Sequence, residues 1–251
     1  PPRSTLFPYT TLFRSACFGL FGPKSRALLT DIVGNEFENK IFPFGKGRLL
    51  KINNVDIWFQ RLSYVGELGW ELYIPIKESK KIYEIIHEAG KNHNLVHAGR
   101  LAMDIMRMEK GYLHWGHDIT PEENPFEAGL GFAVKLNKEQ DFIGKKALKK
   151  IDQSQLTKKL CMFTLEKSEP GKPLLLHEEP IYLDGTIVGI TTSGNYSFNF
   201  NKNMSFGYIY NYHLLNDLKN KTFEIEVAKK KYRANLEFQA LHDPKNIMIK
   251  A

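Results

Sequence analysis

Hydrophobic and polar positions alternate strictly through Trp70–Ile74, where Glu71 and Tyr73 separate Trp70, Leu72 and Ile74. That period of two is a strand with one buried face. The run Trp58–Tyr64 before it is rich in β-forming residues, and Gly66, Glu67 and Gly69 lie between the two runs. Ser63–Pro75 therefore reads as strand, tight glycine turn, strand. Upstream, Leu49–Ile52 and Val55–Ser63 read as strands joined by a hairpin turn at Asn53-Asn54. Ala16–Phe21 is a short apolar run, and Phe42–Gly45 a turn. Helical spacing governs three stretches. Lys24–Val33 puts Ala27, Leu28 and Ile32 on one face, with Pro23 suited to the first turn. Glu78–His93 carries Ile82, Ile85, Ile86 and Ala89. His97–Gly111 carries a stripe of Leu101, Ile105 and Met108 and stops at Gly111. Glu127–Leu136 reads as a glycine-bearing strand, and Phe142–Leu148 opens a short helix.

The texture changes beyond a polar linker at Lys150–Lys158. Lys159–Leu165, Glu179–Leu183, Thr186–Thr192, Met204–Tyr210, Thr222–Val227 and Lys231–Phe238 are short candidate strands, with Asp184-Gly185 a hairpin signal between two of them. They predict a small barrel or sandwich. Thr191–Ser197 reads as a polar loop able to reach another domain's pocket. The class is α+β, with a mixed helix-and-strand part over residues 16–150 and a small C-terminal β-domain over 158–251. No internal repeat is visible.

Composition adds limits. The chain has 251 residues, 42% hydrophobic and 12% aromatic, which is enough for a sizeable core and unlike a disordered chain. Net charge is +7, but the lysines are dispersed and carry no nucleic-acid module signature. A mildly basic surface suits an anionic small ligand or general solubility equally well. No apolar run is long enough to span a membrane. The two cysteines, Cys17 and Cys161, have no metal-type spacing and sit in apolar runs, so buried free thiols and a reducing compartment are expected. Residues 1–15 have neither a signal-peptide core nor a clean periodicity. They resemble a translated sequencing-adaptor read and are set aside, which makes an N-terminally truncated fragment the expectation.

Three positions carry candidate chemistry. Glu67 sits between glycines in a segment that otherwise buries its side chains. A carboxylate there can accept two parallel N–H bonds, the edge a pterin offers; on the residues alone a solvated turn carboxylate beside two structural glycines is the more ordinary reading. Arg107, near a helix end, is either a dipole-satisfying side chain or a fork for a carboxylate. Trp115 is more commonly a core residue than a ligand platform, but Gly111 and Gly116 on its flanks leave room for a flat ring to stack. His114 and His117 lack partners at metal-site spacing. The glycines around Leu130 lack the spacing of a dinucleotide fingerprint, and no Ser-His-Asp set, P-loop or zinc pattern is present.

Several blocks in order resemble one family, the aminomethyltransferases of the glycine-cleavage T-protein fold, and within it the folate-binding C-terminal region of sarcosine and dimethylglycine dehydrogenases. They are Ser63–Pro75, Arg107–Gly116, Asn124–Phe132, Phe142–Leu148, Asp184–Gly189 and Thr192–Tyr196. The resemblance implies a folate-binding aminomethyltransferase-like domain over 16–150, incomplete at its N-terminus, followed by a β-barrel over 158–251. It implies tetrahydrofolate as ligand, with Glu67 on the pterin, Arg107 helping to hold the folate or its carboxylates, Trp115 stacking and Tyr64 as a second stacking candidate. The implied reaction transfers a one-carbon unit from an oxidised N-methyl amine to tetrahydrofolate. FAD would belong to a flavin domain absent from this chain, which is itself expected to be inactive. The family's catalytic aspartate would precede Ala16, so no catalytic residue can be named; Asp31 falls on the following helix. Bacterial cytoplasm or mitochondrial matrix would be the compartment. The alternatives are a stand-alone aminomethyltransferase, or a non-catalytic regulatory subunit on the same fold, as in the pyruvate dehydrogenase phosphatase regulator. Neither a nucleic acid nor a membrane is an expected partner.

Overall fold

A computed structural model describes residues 14–215 and 218–251. The leader expectation falls largely on residues 1–13, outside the described residues; Ser15 opens the first strand. The chain divides into two compact units. One comprises the residues up to Met103 together with Asp243–Ala251, the other Asp104–His242.

The first unit is an antiparallel four-stranded sheet with strand order β1-β4-β3-β2. The strands are β1 (Ser15–Phe21), β2 (Gly47–Ile52), β3 (Val55–Gln60) and β4 (Gly69–Pro75). Asn53 and Asn54 turn β2 into β3 with φ of 47° and 64°, the left-handed pair that matches strand twist. In β4 the period-two expectation holds: Trp70, Leu72 and Ile74 are buried, and Glu71 and Tyr73 are half-buried. Against that face pack α1 (Ser25–Val33), through Leu28 and Leu29, and α2 (Ser79–Gly90), through Ile82 and Ile86. Trp70 is the centre of this core, edge-on to Phe37 at 5.3 Å and to Phe42 at 6.1 Å.

The second unit begins within α3 (Arg100–Glu109) and carries the short α-helix α4 (Lys145–Leu148) beside several single 3-10 turns. Its bulk is a closed barrel of strand order β10-β5-β8-β7-β6-β9. Its strands are β5 (Lys158–Leu165), β6 (Pro180–Leu183), β7 (Thr186–Ser197), β8 (Lys202–Tyr210), β9 (Phe223–Val227) and β10 (Lys230–Glu237). Every C-terminal strand expected from the sequence is present, and closure decides for the barrel over the sandwich. Phe163, Ile181, Ile209, Phe223, Ile225 and Ala234 fill it. β7 and β8 run close: a Cβ on Gly189 would stand 2.0 Å from the Tyr208 carbonyl oxygen.

Five expectations need correction. The turn before β4 is not tight, because β3 ends at Gln60 and residues 61–68 form a loop. Glu127–Leu136 is not a strand. The Asn124 side chain accepts from the N–H groups of Phe126 and Glu127, and the Glu127 carboxylate accepts from the Asn124 N–H. That reciprocal cap bends the chain into a turn, and Gly129, at φ 72°, ends it. Thr191–Ser197 is no loop but the second half of β7, with a bulge between Thr191 and Ser193. Leu101, at 77% exposure, lies off the buried stripe that Ile105 and Met108 do form. Cys17 is free but exposed, since it falls on the outward alternation of β1. Cys161 is also free, and burial pushes its thiol up to about 12.

Candidate functional site

In the first unit, Glu67 and Tyr64 share the loop 61–68. Val65 and Leu68 are buried anchors, while Tyr64 and Glu67 remain half-buried between them. The end of the loop is pinned through the Leu68 carbonyl, which accepts from the Gly22 N–H at 2.8 Å and the Ser25 hydroxyl at 3.1 Å. Gly66 supplies the bend at φ 80°. Gly69 has no room for a side chain, since a Cβ there would stand 2.4 Å from the Leu20 carbonyl oxygen. The arrangement holds one carboxylate and one phenol at the surface of a braced loop.

In the second unit, the structure ties Arg107 to the segment that carries Trp115. Arg107 is buried at the end of α3. Its Nε donates to Asp104 at 2.9 Å, Nη1 to Asp118 at 2.5 Å and to the Tyr112 carbonyl at 3.2 Å, and Nη2 to Ser193 at 2.8 Å. Four of its five N–H groups are thus engaged within the protein. Asp118 is fully buried and also accepts from the His114 N–H at 2.8 Å, the Thr192 hydroxyl at 2.6 Å and the Ser193 hydroxyl at 2.8 Å. Its carbonyl accepts from the Tyr208 hydroxyl at 3.0 Å. Helix end, turn and barrel strand are locked by one ion pair. The same β7 receives the next helix carboxylate: Glu109, 2% exposed, accepts from the hydroxyl of Ser197 and the amide of Asn199.

Trp115 lies on the turn that Asp118 secures, and its ring is 65% exposed. Gly116, at φ 89°, lets the turn close through its N–H to the Ile119 carbonyl. The imidazoles of His114 and His117 stack at 4.5 Å. Burial, then His117, then Arg107 push the His114 imidazole below its ordinary value, outweighing Asp104 and Asp118. Among the described residues, no group of three or more His, Cys, Asp or Glu side chains is placed to hold a metal.

Sequence reasoning singled out Arg107 but missed Asp118, Thr192 and Ser193. The signal available was the cluster Thr191-Thr192-Ser193, polar residues running directly on from the candidate strand Thr186–Thr192. A buried guanidinium needs such partners.

Residues 10–138 match the GCVT N-terminal domain, and residues 158–243 match the glycine cleavage T-protein C-terminal barrel domain. The chain belongs to the glycine cleavage T-protein family. Among relatives of this family member, human mitochondrial dimethylglycine dehydrogenase is 38% identical over 191 residues, 76% of this chain and 22% of that protein. Human mitochondrial sarcosine dehydrogenase is 34% identical over 233 residues, 91% of this chain and 25% of that one. The chain therefore spans about a quarter of the length of these dehydrogenases. The crystal structure of the glycine cleavage system aminomethyltransferase T from Bartonella henselae shares the fold, with a TM-score of 0.77 at 22% identity, over 92% of this chain and 60% of that one.

Proposed function

We propose that this T-protein family member binds tetrahydrofolate as part of a sarcosine or dimethylglycine dehydrogenase-like enzyme, and helps pass a one-carbon unit from an oxidised N-methyl amine to it. The braced loop around Glu67 carries the reading. A carboxylate held half-buried between glycines suits the two parallel N–H groups of a pterin edge. Tyr64 offers a ring on the same loop; Trp115, exposed in the second unit, is taken as a stacking residue on the resemblance alone. The chemistry of these side chains thus fits the ligand. Bound tetrahydrofolate would supply the amine that captures the one-carbon unit. The residues named here hold and orient it, which is where such a protein lowers a barrier. Arg107 contributes by holding the Tyr112–Asp118 segment, since its fork is spent on Asp118, Asp104 and Ser193. Flavin chemistry is assigned to no residue of this chain.

Trp115 provides the test. Of the three tryptophans, Trp70 is fully buried, Trp58 half-buried on β3 and Trp115 exposed, so tetrahydrofolate should quench emission chiefly from Trp115. Replacing it, Trp115→Phe, should remove most of the quench and weaken binding several-fold, about 1 kcal/mol for a lost stacking contact. An unchanged quench in that variant would place the ligand elsewhere.

A further inference from the structure

A cavity of about 290 Å³ opens in the first unit where β1 runs into α1. Gly22, at φ 122°, and Pro23 turn the chain between the two elements. Another wall is the turn after α2. There Asn94 takes the left-handed conformation at φ 58°, and the Leu95 N–H closes on the Gly90 carbonyl at 3.0 Å. Leu95 packs so tightly that a Cβ on Gly90 would stand 2.4 Å from its Cδ2. Leu20 and Leu28 are buried, Phe21 and Leu95 half-buried, and all four line the cavity. An apolar cavity of about 150 Å³ holds a benzene ring, so this one has room for a ring and a substituent. None of Tyr64, Glu67, Arg107 and Trp115 lines it.

The ionisable side chains on this lining are Lys24 and His93, and among the described residues no acidic side chain joins them. Lys24 is exposed and forms no ion pair among the described residues. The His93 side chain is only 16% exposed, and its Nε2 lies 2.6 Å from the Asp31 carboxylate on α1. That tie fixes the ring and leaves Nδ1 for a ligand. As an imidazolium, the ring donates to Asp31 through Nε2 and to a second acceptor through Nδ1. An apolar cavity with a few polar groups on its wall is the usual form of a small-molecule site. Here the charged groups are of one sign, which is what a partly desolvated anion requires. A carboxylate, with one charge and two oxygens, matches one ammonium and one ring N–H. A phosphate would leave further oxygens unpaired.

We propose that this cavity binds a small monocarboxylate with an apolar body, at a site separate from that of tetrahydrofolate. The body lies on Leu20, Leu28 and Leu95, and the carboxylate turns toward Lys24 and His93. Benzoate is the probe, followed through the methyl NMR signals of Leu28, Leu95 and Val96 in the full chain. Benzamide keeps the ring and loses the charge; acetate keeps the charge and loses the ring. Benzoate is expected to shift the three residues' signals saturably in the millimolar range or below, with benzamide and acetate each at least tenfold weaker. Lys24→Glu should weaken benzoate at least tenfold and leave benzamide unchanged. That variant is expected to fold, since Lys24 is exposed at the start of α1, where a carboxylate suits the helix dipole. His93→Gln, which keeps a donor for Asp31, should weaken benzoate in the same sense and serves as the second variant. Saturating tetrahydrofolate should leave the benzoate affinity unchanged. Signals that do not saturate with benzoate, or that respond equally to benzamide, overturn the proposal. So does an unchanged benzoate affinity in the folded variants, or displacement of benzoate by tetrahydrofolate.

Discussion

Asp118 receives four hydrogen bonds in a position closed to solvent, one of them from the Arg107 guanidinium. Removing one partner of such a pair strands the other as a buried, uncompensated charge, which costs about 3–5 kcal/mol. Asp118→Ala should therefore lower the unfolding free energy of the barrel unit by that much in urea melts. It should also raise the mobility of Trp115, read as a fall in fluorescence anisotropy, because the turn that carries the ring loses its tie to β7. A loss below about 1 kcal/mol with unchanged anisotropy would mean that the lock is decorative. Glu67 is the opposite case. It is half-buried on a loop anchored by other, buried residues, Val65 and Leu68 among them, so its replacement should spare the fold and act on binding.

At the scale of elements, Glu123 and Lys158 join the turn region to the first barrel strand at 2.7 Å. Burial alone would raise the Glu123 carboxyl; the bonds from Lys158 and Thr120 outweigh it and hold it below its ordinary value. For Lys158, burial would lower the amine, and Glu123 outweighs it and raises it. A carboxylate with a depressed folded value contributes stability that is present above its unfolded value and lost as pH falls through the folded one. A raised lysine contributes below its unfolded value and loses that contribution as pH rises through the folded one. The pair should be fully effective around neutrality. Glu123→Gln should be less stable than the parent at pH 7, and the two should converge as pH drops into the acid range; parallel curves would show that the pair contributes nothing. Elements were legible where side chains alternate cleanly, as in β4 and the barrel strands. They were illegible where polar residues are buried against a partner distant in sequence. Thr192 and Ser193 read as loop because nothing local reveals Asp118, and Glu127–Leu136 read as strand because the Asn124–Glu127 cap went unweighed. Within the candidate site, Glu67, Tyr64 and Trp115 could be picked out from their glycine-flanked or aromatic surroundings. That Arg107 is buried and committed to the protein could not, since only the fold supplies its partners.

The whole molecule comprises an antiparallel sheet unit and a unit built on a closed barrel; the family's N-terminal match, 10–138, runs past the first unit into the second, and its barrel match covers 158–243. Its net charge of +7 suits a ligand that carries carboxylates, as folate does, and would speed encounter at low salt. Tetrahydrofolate binding through Glu67 is the claim on which the functional account depends. Calorimetric titration of tetrahydrofolate into the chain and into Glu67→Ala tests it most directly. The account predicts saturable binding that weakens roughly thirtyfold in the variant, about 2 kcal/mol for a lost charged hydrogen bond. Equal affinity in the two proteins, or no binding by a folded parent chain, would contradict it.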